Sequence, residues 1–324
     1  MQPKVSIIIP VYNVEKKLLC KCLDSLLNQT LNEIELICVL DCPTDGTDKV
    51  VEEYAQKDSR IKIVRNEQNL HIGESRNRGI EAATGEFIGF FDDDDYCEPD
   101  MYEKLYYNAK QSNSQAALCE RSIEIMSSGF IHAFHDKKNA DISHCIKKLL
   151  INDNNSSAIL VWNYIYNRKF ILENNLRFVD TKQISAEDAL FNVSALLLMR
   201  ELGENLAYVP EVLYHHLYHK GNTGATIGYM NKLPIFREEL TTFITKHYNT
   251  PENRHNTHIG NIVILYRVAR LYAKREGLSA SIKQIKNITT YKGILQLQKT
   301  EIRIWEKELS LPKNILNWII KLIS

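Results

Sequence analysis

Four runs of β-branched and aromatic residues recur through the first third of the chain. They are Val5-Ser6-Ile7-Ile8-Ile9-Pro10-Val11, Ile34 to Leu40, Ile61-Lys62-Ile63-Val64, and a strand over 86–91 that includes Phe87-Ile88-Gly89-Phe90-Phe91. Runs this apolar read as strands buried on both faces. The segments between them carry helical periodicity instead. The spacing predicts a helix over about 15–29, with Leu18, Leu19, Cys22, Leu23, Leu26 and Leu27 on one face. It predicts a second over about 48–57, with Val50, Val51, Tyr54 and Ala55 inward, and a short third over 74–83. Asn13 is placed to cap the first helix. Strand–helix alternation of this kind implies a parallel sheet with right-handed crossovers. In such sheets, ligands bind beyond the carboxyl ends of the strands. Those ends are polar here: Tyr12-Asn13 follows the first strand, Asp41 the second and Asp92-Asp93-Asp94-Asp95 the fourth.

Adjacent carboxylates repel one another, so a cluster at a strand end is costly unless a positive group sits there. A hard divalent cation answers this, since Mg²⁺ and Mn²⁺ take oxygen ligands, often one or two carboxylates plus substrate phosphates. The alternative is a solvated acidic turn in which Asp95 caps the next helix.

Further along, Pro99 suits the first turn of a helix over about 99–112. Residues 116–125 and 130–134 read as strands around Ser127-Ser128-Gly129, and 141–152 as a helix. Ile159-Leu160-Val161-Trp162 reads as a short strand or turn, and Phe170 to Asn174 as a helical turn. A helix over 187–200 turns Leu190, Val193, Leu197 and Leu198 inward, and Tyr208 to Tyr218 alternates loosely as a strand. Beyond about 223 the pattern is helical, which places a boundary near 225. The expected domains are 1–225, with halves of about 1–115 and 116–225, and a helical region over 226–324.

A chain of 324 residues with 44% hydrophobic content can bury a sizeable core. Lys+Arg and Asp+Glu both number 40, so no net field points to nucleic acid. Met1-Gln2-Pro3-Lys4 runs directly into a strand and does not read as a signal peptide, and no stretch reaches the roughly 20 apolar residues of a membrane span. The 7 cysteines include no CxxC pair. These features lead us to expect reduced thiols and a cytoplasmic location. The segment 302–323 has Ile302, Trp305 and Leu309 recurring at helical spacing, and its residues 311–323 pack apolar residues with Trp318 and two lysines, Lys313 and Lys321. It suits either peripheral contact with the inner face of the cell membrane or docking on the catalytic domain or a second subunit, as in a homodimer.

Five stretches together resemble the family 2 glycosyltransferases, enzymes of GT-A fold: residues 5–13, Asp41 through Asp45-Gly46-Thr47, Arg76 to Ile80 with Thr84-Gly85-Glu86, Phe91 to Asp95, and Glu187-Asp188. The resemblance covers roughly residues 4–220. It implies an α/β, Rossmann-like, mostly parallel sheet flanked by helices, with a helical C-terminal extension. It also implies a nucleotide-sugar donor, Mn²⁺ or Mg²⁺, inversion at the anomeric carbon, and a glycan or lipid-linked acceptor of surface polysaccharide synthesis. Asp92-Asp93-Asp94 matches the family's metal motif, with Asp94 the metal ligand and Asp93 or Asp92 facing the ribose. The repetition leaves that register open by one residue.

The resemblance makes Asp188 the general base for the acceptor hydroxyl, with Glu187 orienting it; acidic residues at a helix start are also ordinary dipole partners. Asp41 resembles the aspartate that binds the uracil ring. Here, however, Leu40 and Cys42-Pro43 depart from the family's two aspartates and Gly-Ser. Pro10, Tyr12 and Asn13 resemble the first nucleotide-contacting loop. His71 and Arg76-Asn77-Arg78 lie before and at a helix start, where Arg76 or Arg78 offsets the diphosphate, pairs with the aspartates or forms a structural ion pair. Trp162-Asn163 resembles a stretch near the acceptor, a core tryptophan being the other reading. Tyr214 to Lys220 resembles the start of a lid over 219–228 in which His219 or Lys220 replaces an absent arginine. A nucleotidyltransferase and a non-catalytic glycan-binding or scaffold subunit are the competing readings.

Overall fold

The computed structural model describes residues 2–151, 153, 156–182, 184–219, 221–222 and 227–276. The segment 302–323 and much of the expected lid lie outside them. The chain packs as two compact units. The first comprises Met1–Leu149, Asn154–Lys182 and Ala186–Asn222; the second comprises Leu150–Asp153, Gln183–Ser185 and Thr223–Ser324.

The first unit opens as the periodicity predicts. Strand β1 (Val5–Val11) and strand β2 (Ile34–Leu40) are buried at every position. Helix α1 (Lys16–Leu27) joins them and seals one sheet face with Leu18, Leu19, Cys22, Leu23 and Leu26. Helix α2 (Thr47–Lys57), strand β3 (Ile61–Arg65), helix α3 (His71–Ala82) and strand β4 (Phe87–Phe90) follow. β1 lies between β2 and β4, parallel to both, with Val11 opposite Leu40 and Ile8 opposite Phe90. The loops after β1, β2 and β4 therefore emerge side by side.

The second half of the sheet departs from a simple parallel repeat. Helix α4 (Met101–Gln111) follows a two-residue strand, β5 (Tyr96–Cys97), which the sequence pattern does not reveal. Strand β6 (Ala116–Ile125) forms a hairpin with β7 (Phe130–Ala133). Helix α5 (Ile142–Ile151) comes next. The apolar run at 159–162, read as a short strand or turn, is turn and not strand. A 3-10 turn occupies Ser157–Ile159, and strand β8 (Tyr164–Asn167) runs antiparallel to both β4 and β6. After helix α6 (Arg168–Glu173) and helix α7 (Glu187–Glu201), strand β9 (Leu206–Tyr218) pairs parallel with β6 and antiparallel with β5. The result is a mixed sheet of order β3-β2-β1-β4-β8-β6-β9-β5, with β7 beside β6.

Thr84-Gly85-Glu86 serves the fold. Ser6 Oγ and the Thr84 backbone N–H donate to Glu35 Oε1 at 2.5 and 2.7 Å, and Gly85 N–H donates to Ser6 Oγ at 2.8 Å. This buried knot fixes the turn that delivers β4 beside β1. In the second unit, helix α8 (Ile227–His247) packs with helix α9 (Pro251–Glu276). Arg237 is buried there. Its guanidinium donates to Asn261 Oδ1 at 2.8 Å, the Leu150 carbonyl at 2.9 Å and the Thr257 carbonyl at 2.7 Å. Among the described residues, no helix is long and apolar enough to cross a membrane.

Gly79 lets α3 approach β1 closely, since a Cβ there would lie 2.2 Å from Cγ2 of the buried Ile8. Overpacking of a well-packed core typically costs about 1–3 kcal/mol. Gly79→Ala is therefore expected to lower the unfolding free energy by about that amount, read as a shift in the urea midpoint at constant slope.

Candidate active site

The carboxyl ends of β1, β2 and β4 assemble the first part of the site. The four aspartates after β4 form a tight turn, with Asp95 N–H donating to the Asp92 carbonyl at 3.4 Å. That turn sends their side chains to four different partners. Asp92 Oδ1 accepts from Arg76 at 2.9 Å. Asp93 Oδ2 accepts from the Tyr12 backbone N–H at 3.2 Å, tying the turn to the end of β1. Asp94 Oδ2 lies 2.9 Å from His219 Nε2 and accepts from Asn222 Nδ2 at 3.3 Å. Asp95 points inward, fully buried, to Tyr214, His216 and Leu217 of β9. It is thus an internal anchor and not the helix cap that the sequence allowed.

The second part comes from α7. Its start carries Glu187 and Asp188, preceded by Ala186 in a left-handed conformation at φ 60°. An aromatic cluster docks α7 against β4. Phe191 stacks on Phe178 at 4.3 Å and meets Phe90 edge-on at 5.6 Å. Asn77 of α3 holds the Phe178 backbone in a two-way amide pair of 3.0 and 2.9 Å. Tyr166 OH, on β8, donates to Asn192 of α7. Above this cluster lies Arg76, only 2% exposed. Its two terminal nitrogens reach Asp92 at 2.9 Å and Glu187 Oε1 at 2.7 Å. Of the roles open to the arginines, Arg76 takes the pairing one, whereas Arg78 is exposed on the opposite side of the helix.

Burial raises several of these acids. It pushes Asp92 up to about 6 although Arg76 opposes the shift. Burial, and then the neighbouring Asp94, hold Asp93 well above the usual carboxylate value. Asp94 is raised by burial and by Asp95, with His219 working against the rise. Burial and the adjacent Glu187 bring Asp188 up to about 7, while Arg76 pulls the other way. His216 is raised to about 9 because Asp95 outweighs the effect of burial. The turn thus sets four carboxyl groups against two cationic groups, Arg76 on Asp92 and His216 on Asp95. A cation beside Asp94 fits this donor set of a carboxylate oxygen and an imidazole nitrogen. Among the described residues, no group of three or more His, Cys, Asp and Glu forms a cage for a metal. A cation here would be completed by ligand oxygens, as Mg²⁺ sites commonly are.

The remaining expected residues divide. Tyr12 is 48% exposed at the end of β1. Asn13 caps nothing in α1; it pairs with Thr44 through a 2.8 Å bond from the Thr44 backbone, joining the loops after β1 and β2. Asp41 is buried, and it accepts from Asn66 Nδ2, Leu70 N–H and His71 N–H at 2.7–2.8 Å. It thereby fixes the loop leading to His71, which starts α3 at φ 64°.

Pro10 is buried inside β1 opposite Val39, so its ring offers no face to a ligand and its backbone is the part left to make such a contact. Trp162 and Asn163 are core residues and not an acceptor platform. Trp162 stacks on Tyr214 at 4.1 Å, and Asn163 Nδ2 donates to the Cys119 carbonyl at 2.6 Å. The sequence reading did not single out Tyr214 and His216 as partners of the quartet. Their two-residue spacing on a strand, which puts both on one face, was the available signal.

Breaking a buried pair by removing one partner typically costs about 3–5 kcal/mol, because the other charge stays buried. Arg76→Met is expected to lower the unfolding free energy by that order in urea titrations. Arg76→Lys is expected to recover only part of the loss, since a lysine cannot fork to two carboxylates.

The model of the family described as "Glycosyl transferase family 2" matches residues 6–192. The putative glycosyltransferase EpsH of Bacillus subtilis strain 168 is 33% identical over 270 residues, which is 76% of this chain and 75% of that protein. The crystal structure of S. aureus TarS 1-349 in complex with UDP-GlcNAc has a TM-score of 0.59 at 21% identity, covering 90% of each chain. A longer TarS structure has a TM-score of 0.64 at 22% identity, and this chain spans 50% of its length. The mannosyltransferase PcManGT from Pyrobaculum calidifontis, in complex with GDP-Man and Mn²⁺, has a TM-score of 0.56 at 16% identity over 99% of this chain and 84% of that one. The structural neighbours are glycosyltransferases of the GT-A fold, and the sequence match carries the family itself. The chain belongs to the family 2 glycosyltransferases.

Proposed function

We propose that this glycosyltransferase is an inverting enzyme. It moves a sugar from a nucleoside-diphosphate sugar, UDP-linked, to a hydroxyl of a glycan or lipid-linked saccharide in surface polysaccharide synthesis. Residues 1–225 form the catalytic domain in this reading. The observation that carries it is the Arg76 bridge, which ties the carboxylate turn after β4 to the carboxylate pair that begins α7. Sugar transfer needs these two functions in fixed relation: neutralisation of the leaving diphosphate and deprotonation of the acceptor.

Asp188 is the general base. The acceptor oxygen attacks the anomeric carbon, the bond from that carbon to the diphosphate oxygen breaks, and the acceptor proton passes to a carboxylate oxygen of Asp188. A group with its pKa raised to about 7 suits this role, because at neutral pH about half of it is ionised and it is basic enough to take a proton. Asp188 Oδ1 accepts the Ala189 backbone N–H at 2.8 Å, which fixes its rotamer. Glu187 is held by Arg76 and orients its neighbour.

Asp94 and His219 would hold Mn²⁺ or Mg²⁺, which when bound supplies positive charge to the leaving diphosphate. The PcManGT complex, whose title names Mn²⁺, supports this part of the reading. Asp92 and Asp93 line the same turn and face the ribose and diphosphate. The nucleoside lies over Tyr12, against the loop built by Asn13, Asp41 and His71. The TarS complex, whose title names UDP-GlcNAc, supports a UDP-linked donor.

Asp188→Asn is expected to abolish transfer while leaving UDP binding within about twofold of wild type, since the base contacts the acceptor and not the nucleotide. Asp94→Ala is expected to abolish transfer and also the gain in UDP affinity that Mn²⁺ confers, read by calorimetric titration. The acid limb of kcat/KM is expected near pH 7, the rate falling below it with the ionised fraction of Asp188. Full activity of Asp188→Asn, or a flat profile between pH 6 and 8, would remove Asp188 from this role.

A further inference from the structure

Beneath the Asp94–His219 contact lies a second, buried contact between the same two segments. Asp95 is 0% exposed. Its carboxylate accepts from Tyr214 OH at 2.6 Å, His216 Nδ1 at 3.0 Å and Leu217 N–H at 2.8 Å. Those donors lie near the end of strand β9, just before His219. The His216 ring is held from behind. It lies nearly parallel to the Trp162 indole, at 5.9 Å and 13°, and Tyr214 stacks on the same indole at 4.1 Å. Phe91, which begins the aspartate turn, packs against Tyr214 at 4.8 Å.

Two rungs thus join the aspartate turn to the end of β9. The inner one, Asp95–His216, is buried and fixed by aromatic packing. The outer one, Asp94–His219, is one residue away on the first segment and three on the second, at 2.9 Å. We propose that His216 is a positioning residue. Through Asp95 and against Trp162, it sets the separation of Asp94 and His219, and so prepares them for a divalent cation and the diphosphate it carries. This inference rests on the reading of Asp94 given above. Asp95 is already saturated with donors from the protein, so it acts by holding the frame and not by contacting ligand. Partners behind a metal ligand commonly change metal affinity by about 10–100-fold when removed.

The test uses the full chain and three variants. His216→Phe keeps a ring to pack against Trp162 but loses the bond to Asp95; His216→Gln keeps one donor without the charge; Asp94→Ala is the control. Mn²⁺ binding is followed by the electron paramagnetic resonance signal of the free ion, UDP affinity by calorimetry with and without Mn²⁺, and folding by circular dichroism. His216→Phe is expected to weaken Mn²⁺ binding in the presence of UDP by about tenfold or more, with His216→Gln between it and wild type. UDP affinity without Mn²⁺ is expected to stay within about twofold of wild type, which a general loosening of the fold would not produce. A folded His216→Phe with wild-type Mn²⁺ binding overturns the proposal, and His216→Gln decides in the same way if the phenylalanine variant does not fold. If Asp94→Ala abolishes the Mn²⁺ effect and the His216 variants do not weaken it, the inference alone fails. If Asp94→Ala leaves it intact, the metal reading fails and takes the inference with it.

Discussion

A single buried guanidinium carries the electrostatics of this site. Arg76 is enclosed by protein, yet it stays charged because Asp92 and Glu187 outweigh the effect of burial. The three groups come from α3, the turn after β4 and the start of α7, segments far apart in sequence. An isolated buried charge is prohibitively costly, and a well-paired one is roughly neutral. The arrangement is therefore less a source of stability than a constraint: none of the three segments can shift alone without stranding a charge. The aromatic cluster of Phe90, Phe178 and Phe191 underneath supplies the apolar burial that keeps the triad in place.

The aspartate quartet shows how one residue type acquires four environments. The tight turn after β4 sends Asp92 towards Arg76, Asp93 towards the end of β1, Asp94 towards His219 and Asp95 into the core. Repulsion within the set is relieved unequally. Arg76 and His216 serve the two ends, and the middle pair keeps the unmet demand for positive charge. That is why a cation fits beside Asp94 and not beside Asp95. Asp188 follows the same logic: burial and then the adjacent Glu187 raise its proton affinity, against the pull of the Arg76 charge.

The parallel half of the fold was legible because its signals are local. Val5–Val11 and Ile34–Leu40 are apolar at nearly every position, and strands of that kind belong in the middle of a parallel sheet. The strand-end carboxylates and the Glu187-Asp188 pair were legible for a related reason, since such sheets place ligands at strand ends. The rest depends on tertiary contacts that no window of sequence contains. β8 forms at Tyr164–Asn167 and not at the more apolar 159–162 because it must pair antiparallel with both β4 and β6. Trp162 looked like a sugar platform, but Tyr214, fifty-two residues later, takes its face. Asp41 also has a role that no window of sequence shows, its carboxylate anchoring the backbone of Leu70 and His71. The anchoring role of Asp95, which lies outside the three-residue motif, depends on β9 lying beside the turn.

The central claim is that Arg76 stays locked to Asp92 and Glu187 while the neighbouring Asp94 and His219 receive the cation and the diphosphate. An anomalous difference map from crystals grown with Mn²⁺ and UDP tests it most directly. The account predicts one peak within coordination distance of Asp94 and His219, with UDP oxygens completing its shell and both Arg76 ion pairs unbroken. A peak held by Asp92 with Arg76 released, or UDP bound with no metal at Asp94, would contradict it.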